Sequence, residues 1–189
     1  KIHQQYAEAG CDVLQTNTFG ANPIKLAQYG LEKETASINQ YAVWIAKEAS
    51  DGRCLVAGDM GPSGKLMLPM GDMHFREAYR AYYEQTKALA KAGADLIHIE
   101  TMSDIQEAKA AVIAAKDASD LPVICSMTYD KNLRTLAGSD PESAVVTLEA
   151  VGADVIGVNC GFGPEPMLEI LRRMNQISES YLIVQPNAG

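Results

Sequence analysis

The sequence predicts an α/β fold, a (β/α)8 barrel to which these 189 residues contribute about six central βα units. Three observations lead there. Strand-sized apolar runs end repeatedly in polar residues or glycine, helix-like stretches separate them, and one ten-residue segment recurs three times. Near-continuous apolar strands alternating with amphipathic helices are the pattern of a parallel sheet covered by helices.

The chain opens on "KIHQQYAEAGCDV" (1–13), a helical pattern already under way and without an initiator Met. "DVLQTNTF" (12–19) and "CLVAGDMG" (54–61) read as the first two strands. A loop rich in Gly, Pro and Met follows, whose Met67, Met70 and Met73 either line a cavity or pack beneath it. "FREAYRAYYEQTKALAKAG" (75–93) places Tyr79, Tyr82, Tyr83, Thr86, Leu89 and Ala90 near a helical period. "DLIHIET" (95–101) is the next strand, and "SDIQEAKAAVIAAKDAS" (103–119) opens a helix with Asp104 and Glu107 spaced as a capping box. "PVICSMTY" (122–129) returns to strand. "SDPESAVVTLEAVGA" (139–153) sets Asp140 before Pro141, an N-cap followed by proline at the first helical position. "DVIGVNC" (154–160) and "YLIVQPNAG" (181–189) complete the strands. The abrupt ends lead us to read 1–189 as one domain lacking the first and last strands of its barrel.

A doubly wound open sheet is the competing architecture. The Rossmann fingerprint is absent, and "GPSGK" (61–65) lacks the spacing and following Ser/Thr of a Walker A loop.

The recurring segment is "AGCDVLQTNT" (9–18), "AGADLIHIET" (92–101) and "VGADVIGVNC" (151–160). Each ends a helix near Gly10, Gly93 or Gly152, turns through Asp and climbs a strand to Asn17, Glu100 or Asn159. Any βα repeat converges on a glycine cap and an apolar strand. It has no need for a polar side chain at one equivalent strand position. In parallel α/β folds ligand groups collect at the carboxyl ends of strands, so these tips mark the edge where a site belongs.

Bulk composition narrows the function. With 16 Lys+Arg against 24 Asp+Glu the net charge is −8, and no basic patch suits a nucleic-acid backbone. The apolar runs are too short for a transmembrane span, and no signal peptide is recognisable. Cys11, Cys54, Cys125 and Cys160 have neither zinc-finger nor disulfide-scaffold spacing, which points to a reducing, cytoplasmic setting.

At the strand tips, Glu100 reads either as a solvated carboxylate capping the next helix or as the receiver of a substrate ammonium. His98, two residues earlier, reads as a hydrogen-bonded core histidine or a ligand. Asp59 stands between a strand and a Gly/Pro loop, while Asn17 and Asn187 either fix substrate or tie down loop backbone. Cys160 is either a small packing residue or a reactive thiol at a strand end flanked by glycines. A single thiolate is not by itself a zinc site.

The ordered set "TNTFGAN", "GDMGPSG", "DLIHIETMSDIQEAKAA", "GVNCGFGPEPM" and "VQPNAG" resembles the homocysteine S-methyltransferase family, nearest its cobalamin-dependent methionine synthase branch, along essentially all 189 residues. The resemblance implies a barrel that binds homocysteine and holds zinc on three cysteine thiolates. Cys160 matches the first of the three, as metal ligand and catalytic residue. The other two belong to a Gly-Gly-Cys-Cys motif beyond the Pro-Asn-Ala-Gly segment; Cys11, Cys54 and Cys125 do not match it. Glu100 matches a residue binding the homocysteine amino group, and Asn17, Asp59 and Asn159 match substrate-binding positions near the pocket. The family's Asp-Gly-x-x-Gly-Thr loop would precede Lys1. The implied reaction is methyl transfer from methylcobalamin to homocysteine thiolate, forming methionine. Methylcobalamin and methyltetrahydrofolate would act through cobalamin-binding and folate-binding domains of the same or a partner polypeptide. None of His3, His74 and His98 matches a cobalt-binding motif. With the tripod incomplete, the 189 residues alone are expected to hold no tight zinc and to be inactive. The alternatives are a betaine- or S-methylmethionine-dependent methyltransferase, a catalytically silent barrel segment, or an unrelated barrel aldolase or isomerase.

Overall fold

The computed structural model describes residues 1–187. Six parallel strands pair strictly in chain order, β1 (Val13–Gln15), β2 (Leu55–Met60), β3 (Leu96–Met102), β4 (Val123–Met127), β5 (Val155–Asn159) and β6 (Tyr181–Gln185). Sequential order without reversal excludes the doubly wound sheet, whose order changes direction at a switch point. The sheet curls into part of a (β/α)8 barrel, with helices between its strands. These are α1 (Ile2–Glu8), α2 (Pro23–Ala27), α3 (Thr35–Ser50), α4 (Phe75–Lys91), α5 (Ile105–Ala118), α6 (Pro141–Ala150) and α7 (Pro164–Asn175), with a 3₁₀ turn at Glu32–Glu34.

Strand alternation separates two faces. Val56 and Met60 of β2, Ile97 and Ile99 of β3, and Ile156 and Val158 of β5 are buried in one core. It also takes in Leu89 of α4, Val112 of α5, Leu148 of α6 and Ile170 of α7. The intervening positions look inward. At the amino ends they are apolar, buried at Leu96 but 53% exposed at Leu55 and 84% exposed at Tyr181; at the carboxyl ends they are polar.

The recurring segment is a structural device at the amino-terminal edge. Gly10, Gly93 and Gly152 take φ of 89°, 95° and 91°, a left-handed turn that ends each helix. The aspartate after two of these turns ties neighbouring units together. Asp95 accepts from the Val56 N–H at 2.6 Å and pairs with Lys47 of α3. Asp154 accepts from the Val123 N–H at 2.7 Å and pairs with Lys116 of α5.

Two local expectations change. The strand read over 12–19 is only Val13–Gln15, because Thr16 and Thr18 turn to the backbone of β2: Thr16 Oγ1 accepts from the Asp59 N–H at 3.0 Å, and Thr18 Oγ1 donates to the Asp59 carbonyl at 2.6 Å. The capping box is half formed. Asp104 caps α5 by accepting from the Gln106 N–H at 2.8 Å. Buried Glu107 instead accepts from the Ser63 N–H and the Tyr82 hydroxyl, both at 2.8 Å. That carboxylate anchors the loop after β2, under which Met67 and Met73 are buried while Met70 is exposed. Asp140 caps α6 as expected, accepting from the Ser143 N–H at 2.8 Å. The segment read as strand over 181–189 ends at Gln185, and its last two residues lie outside the described residues.

Candidate functional site

Four of the residues singled out from sequence meet at the carboxyl ends of β2, β3 and β5. Asp59 and Asn159 are buried, and Glu100 and Cys160 are half-buried. The meeting is produced by an irregularity in β3. Its pairing with β4 shifts register between Ile99 and Met102, placing Glu100 and Thr101 in a bulge. Thr101 has φ of 58°, a left-handed conformation that disfavours a β-branched residue, and Cys160 has the same value. Both strained residues flank the same amide, the side chain of Asn159.

Asn159 Oδ1 accepts from the Thr101 N–H and from the Ser126 hydroxyl, each at 2.8 Å. Its Nδ2 lies 2.9 Å from Glu100 Oε2, 2.7 Å from Thr101 Oγ1 and 3.5 Å from Cys160 Sγ. Thr101 Oγ1 is itself 3.8 Å from Cys160 Sγ. One amide nitrogen therefore touches both a carboxylate and a thiol.

The carboxylates are electrostatically unequal. Burial, reinforced by the Glu100 charge and hydrogen bond, pushes the Asp59 carboxyl up to about 9. Burial also raises Glu100, opposed by the hydrogen bond from Asp59. Two carboxylates so close and desolvated hold one proton between them at neutral pH. Asp59 keeps it, leaving Glu100 as a single anion at the pocket. His98, which pairs in register with Asp59, is pushed down to about 4 by burial and is neutral. Its Nδ1 accepts from Gln15 Nε2 at 2.9 Å, so the ring proton sits on Nε2, buried without a partner among the described residues. It is a core histidine, hydrogen-bonded on one side.

Asn17 does not join this group. It lies two residues beyond the end of β1, exposed, lining clefts with His3 and Ile45. The backbone of Asn187 donates to the Phe162 carbonyl at 2.9 Å, and the Cys160 N–H donates to the Gln185 carbonyl at 3.2 Å, fixing the Cys160 loop against the end of β6. Thr101 and Ser126 are absent from the sequence-based candidates. Thr101 stands beside Glu100 and aligns with Cys160 in the recurring segment, the one signal available for it.

This site combines a lone carboxylate suited to an ammonium with a thiol nearby, on the ligand-binding edge of a barrel. The homocysteine S-methyltransferase family model matches residues 1–189. The chain belongs to that family. Its relatives include the methionine synthases of Mycobacterium leprae and Mycobacterium tuberculosis, each 34% identical over 199 residues and matched along 100% of this chain. The chain spans only 16% and 17% of their respective lengths. Among solved structures, the metallated form of the Escherichia coli homocysteine methyltransferase MmuM superposes with a TM-score of 0.86 at 24% identity, covering 100% of this chain and 71% of that one. A putative phosphonomutase from Burkholderia cenocepacia reaches 0.61 at 17% identity, covering 96% of this chain and 72% of that one. At these identities the structural likeness establishes the barrel fold, and the family assignment rests on sequence.

The donor set for the zinc implied by the motif resemblance is incomplete among the described residues. No group of three or more His, Cys, Asp or Glu side chains is arranged to hold a metal ion there. Cys11 and Cys54 face each other at 3.8 Å at the opposite, amino-terminal edge of β1 and β2. Cys125 is fully buried in the core, where burial pushes its thiol up. Among the described residues, Cys160 alone of the four cysteines offers a sulfur at the carboxyl edge.

Proposed function

We propose that this chain forms the homocysteine-binding part of a methyltransferase that makes methionine. The observation that carries the reading is the amide of Asn159, which places the Glu100 carboxylate and the Cys160 thiol at one site. Homocysteine bears an ammonium and a thiol, and the two protein groups match them. Glu100, kept anionic while Asp59 holds the shared proton, receives the ammonium; the substrate sulfur then lies toward Cys160. Family membership and 34% identity to methionine synthases support the same assignment.

Zinc, where bound by Cys160 and two further thiolates, would keep the homocysteine sulfur deprotonated and nucleophilic. Cys160 would be one of those three ligands, so the metal-dependent step is not assigned to the described residues alone. The remaining finer parts of the proposal rest on the motif resemblance: methylcobalamin as donor, methyltetrahydrofolate as its source, separate domains to carry them, and a cytoplasmic setting. No helix among the described residues is long and apolar enough to cross a membrane. Residues 1–189 are proposed as part of one barrel domain.

The test is metal analysis and methyl transfer in the intact polypeptide, wild type beside Cys160→Ala. The proposal expects one zinc per wild-type chain and loss of both zinc and turnover in the variant. Wild type without zinc, or a variant with unchanged zinc affinity and methyl transfer, contradicts it.

A further inference from the structure

The Asn159 amide has a limited number of hydrogen-bonding groups: two N–H donors and an oxygen with two lone pairs. Both oxygen positions are filled, by the Thr101 N–H and the Ser126 hydroxyl. The nitrogen has three acceptors within reach, Glu100 Oε2, Thr101 Oγ1 and Cys160 Sγ. Nothing on this buried side chain is left to offer a substrate.

What the amide does instead follows from the bulge. Where β3 leaves its ladder, the Thr101 N–H loses its strand partner, and Asn159 Oδ1 takes it at 2.8 Å. The same bond fixes the left-handed turn that carries Glu100 on one side and the Thr101 hydroxyl on the other. Because Thr101 Oγ1 accepts from Asn159 Nδ2, its own proton is free to point at Cys160 Sγ, 3.8 Å away. The chain of contacts runs from carboxylate through amide and hydroxyl to sulfur, and Ser126 of β4 secures it from below. Asp cannot replace Asn here: it would remove the Nδ2 donor and set a third carboxylate against Glu100.

We propose that Asn159 and Thr101 are positioning residues that couple the amino-acid end of the site to its sulfur end, holding Glu100 and Cys160 in one fixed geometry. This rests on the functional reading above. Two consequences separate it from a general structural role. Homocysteine affinity and zinc retention fall together, because one run of contacts through Asn159 and Thr101 reaches both Glu100 and Cys160. The hydroxyl of Thr101, not its shape, is what matters.

The experiment uses the intact polypeptide with Thr101→Val, Thr101→Ser and Asn159→Ala, read by homocysteine titration calorimetry, zinc retention against a chelator, and thermal melting. Groups that orient metal ligands carry ~10–100-fold in affinity. Thr101→Val, nearly isosteric, is expected to lose ~10-fold in both zinc retention and homocysteine affinity with its melting temperature kept. Thr101→Ser stays within about twofold of wild type, and Asn159→Ala falls further than Thr101→Val in both readouts. Should Asn159→Ala fail to fold, the valine–serine comparison decides. Thr101→Val with wild-type zinc and homocysteine binding overturns the coupling while leaving the functional reading intact. A wild type that binds neither overturns both.

Discussion

Replacing Asp59 with asparagine should stabilise the protein, and the gain should depend on pH. Asp59 is buried with its carboxyl at about 9, against an ordinary value of 3.8, so the folded chain carries a proton there that the unfolded chain releases. At pH 7, taking up that proton costs up to about 4 kcal/mol, at 1.36 kcal/mol for each of the roughly three units involved. The amide introduced by Asp59→Asn donates to Glu100 without needing one. It also brings a second N–H into a place where Asp59 Oδ1 already lacks a partner, a penalty of ~1–3 kcal/mol. The expected net gain at pH 7 is therefore about 1–3 kcal/mol. The direction with pH is fixed by the sign of the shift. A raised carboxyl makes folding take up a proton, so its contribution is lost as pH climbs from about 4 through about 9. His98 acts oppositely: its folded value of about 4 lies below the ordinary 6.5, so its contribution is lost as pH falls through that window. His98 offsets the Asp59 slope below about 6.5, where Glu100, also raised by burial, adds a loss of its own; between about 6.5 and about 9 Asp59 leaves a net loss of wild-type stability. Urea unfolding at about pH 6.5, 7.5 and 8.5, spanning that window, measures it. The wild-type free energy should fall across the series and that of Asp59→Asn should stay nearly level, the gap widening with pH. Parallel lines, or a destabilised variant throughout, would refute the shared-proton argument.

Other perturbations probe the scaffold that carries the site. Gly157→Ala would put a Cβ 2.2 Å from the Ile183 carbonyl oxygen on β6, and is expected to cost ~3 kcal/mol or more, visible as an early urea midpoint. Glu107→Ala strands the Ser63 N–H in the interior and leaves the Tyr82 hydroxyl only its longer bond to the Gly61 carbonyl at 3.3 Å; a loss of ~1–3 kcal/mol is expected, with Glu107→Gln recovering part. Loop 61–74 should become the preferred site of limited proteolysis in the Ala variant, and a loop as resistant as wild type would count against the anchoring role of Glu107.

The strands after the first were legible because apolar runs and Gly-Asp turns are local signals. The order of the sheet followed from short right-handed βα crossovers. The recurring segment identified Glu100 and Asn159 correctly as neighbours in space but misplaced Asn17. It assumes strands of equal length, and β1 stops at Gln15 whereas β3 runs to Met102 and β5 to Asn159. Glu107 shows a second limit. Its spacing from Asp104 suits a capping box, but the competing Ser63 N–H is 44 positions away and invisible to local pattern. The inequality of Asp59 and Glu100 was equally hidden, since it arises from burial of two carboxylates on adjacent strands. The β3 bulge that gives Thr101 its role leaves no sequence mark beyond the residue itself.

The central claim is that Glu100 and the Cys160 edge together recognise one amino-acid thiol, and homocysteine titration tests it most directly. In the intact polypeptide, calorimetry with wild type and Glu100→Gln should show saturable binding to the first and affinity weakened by ~1–3 kcal/mol in the second, with melting temperature little changed. Wild-type affinity in Glu100→Gln, or no homocysteine binding by the wild type, would contradict the account.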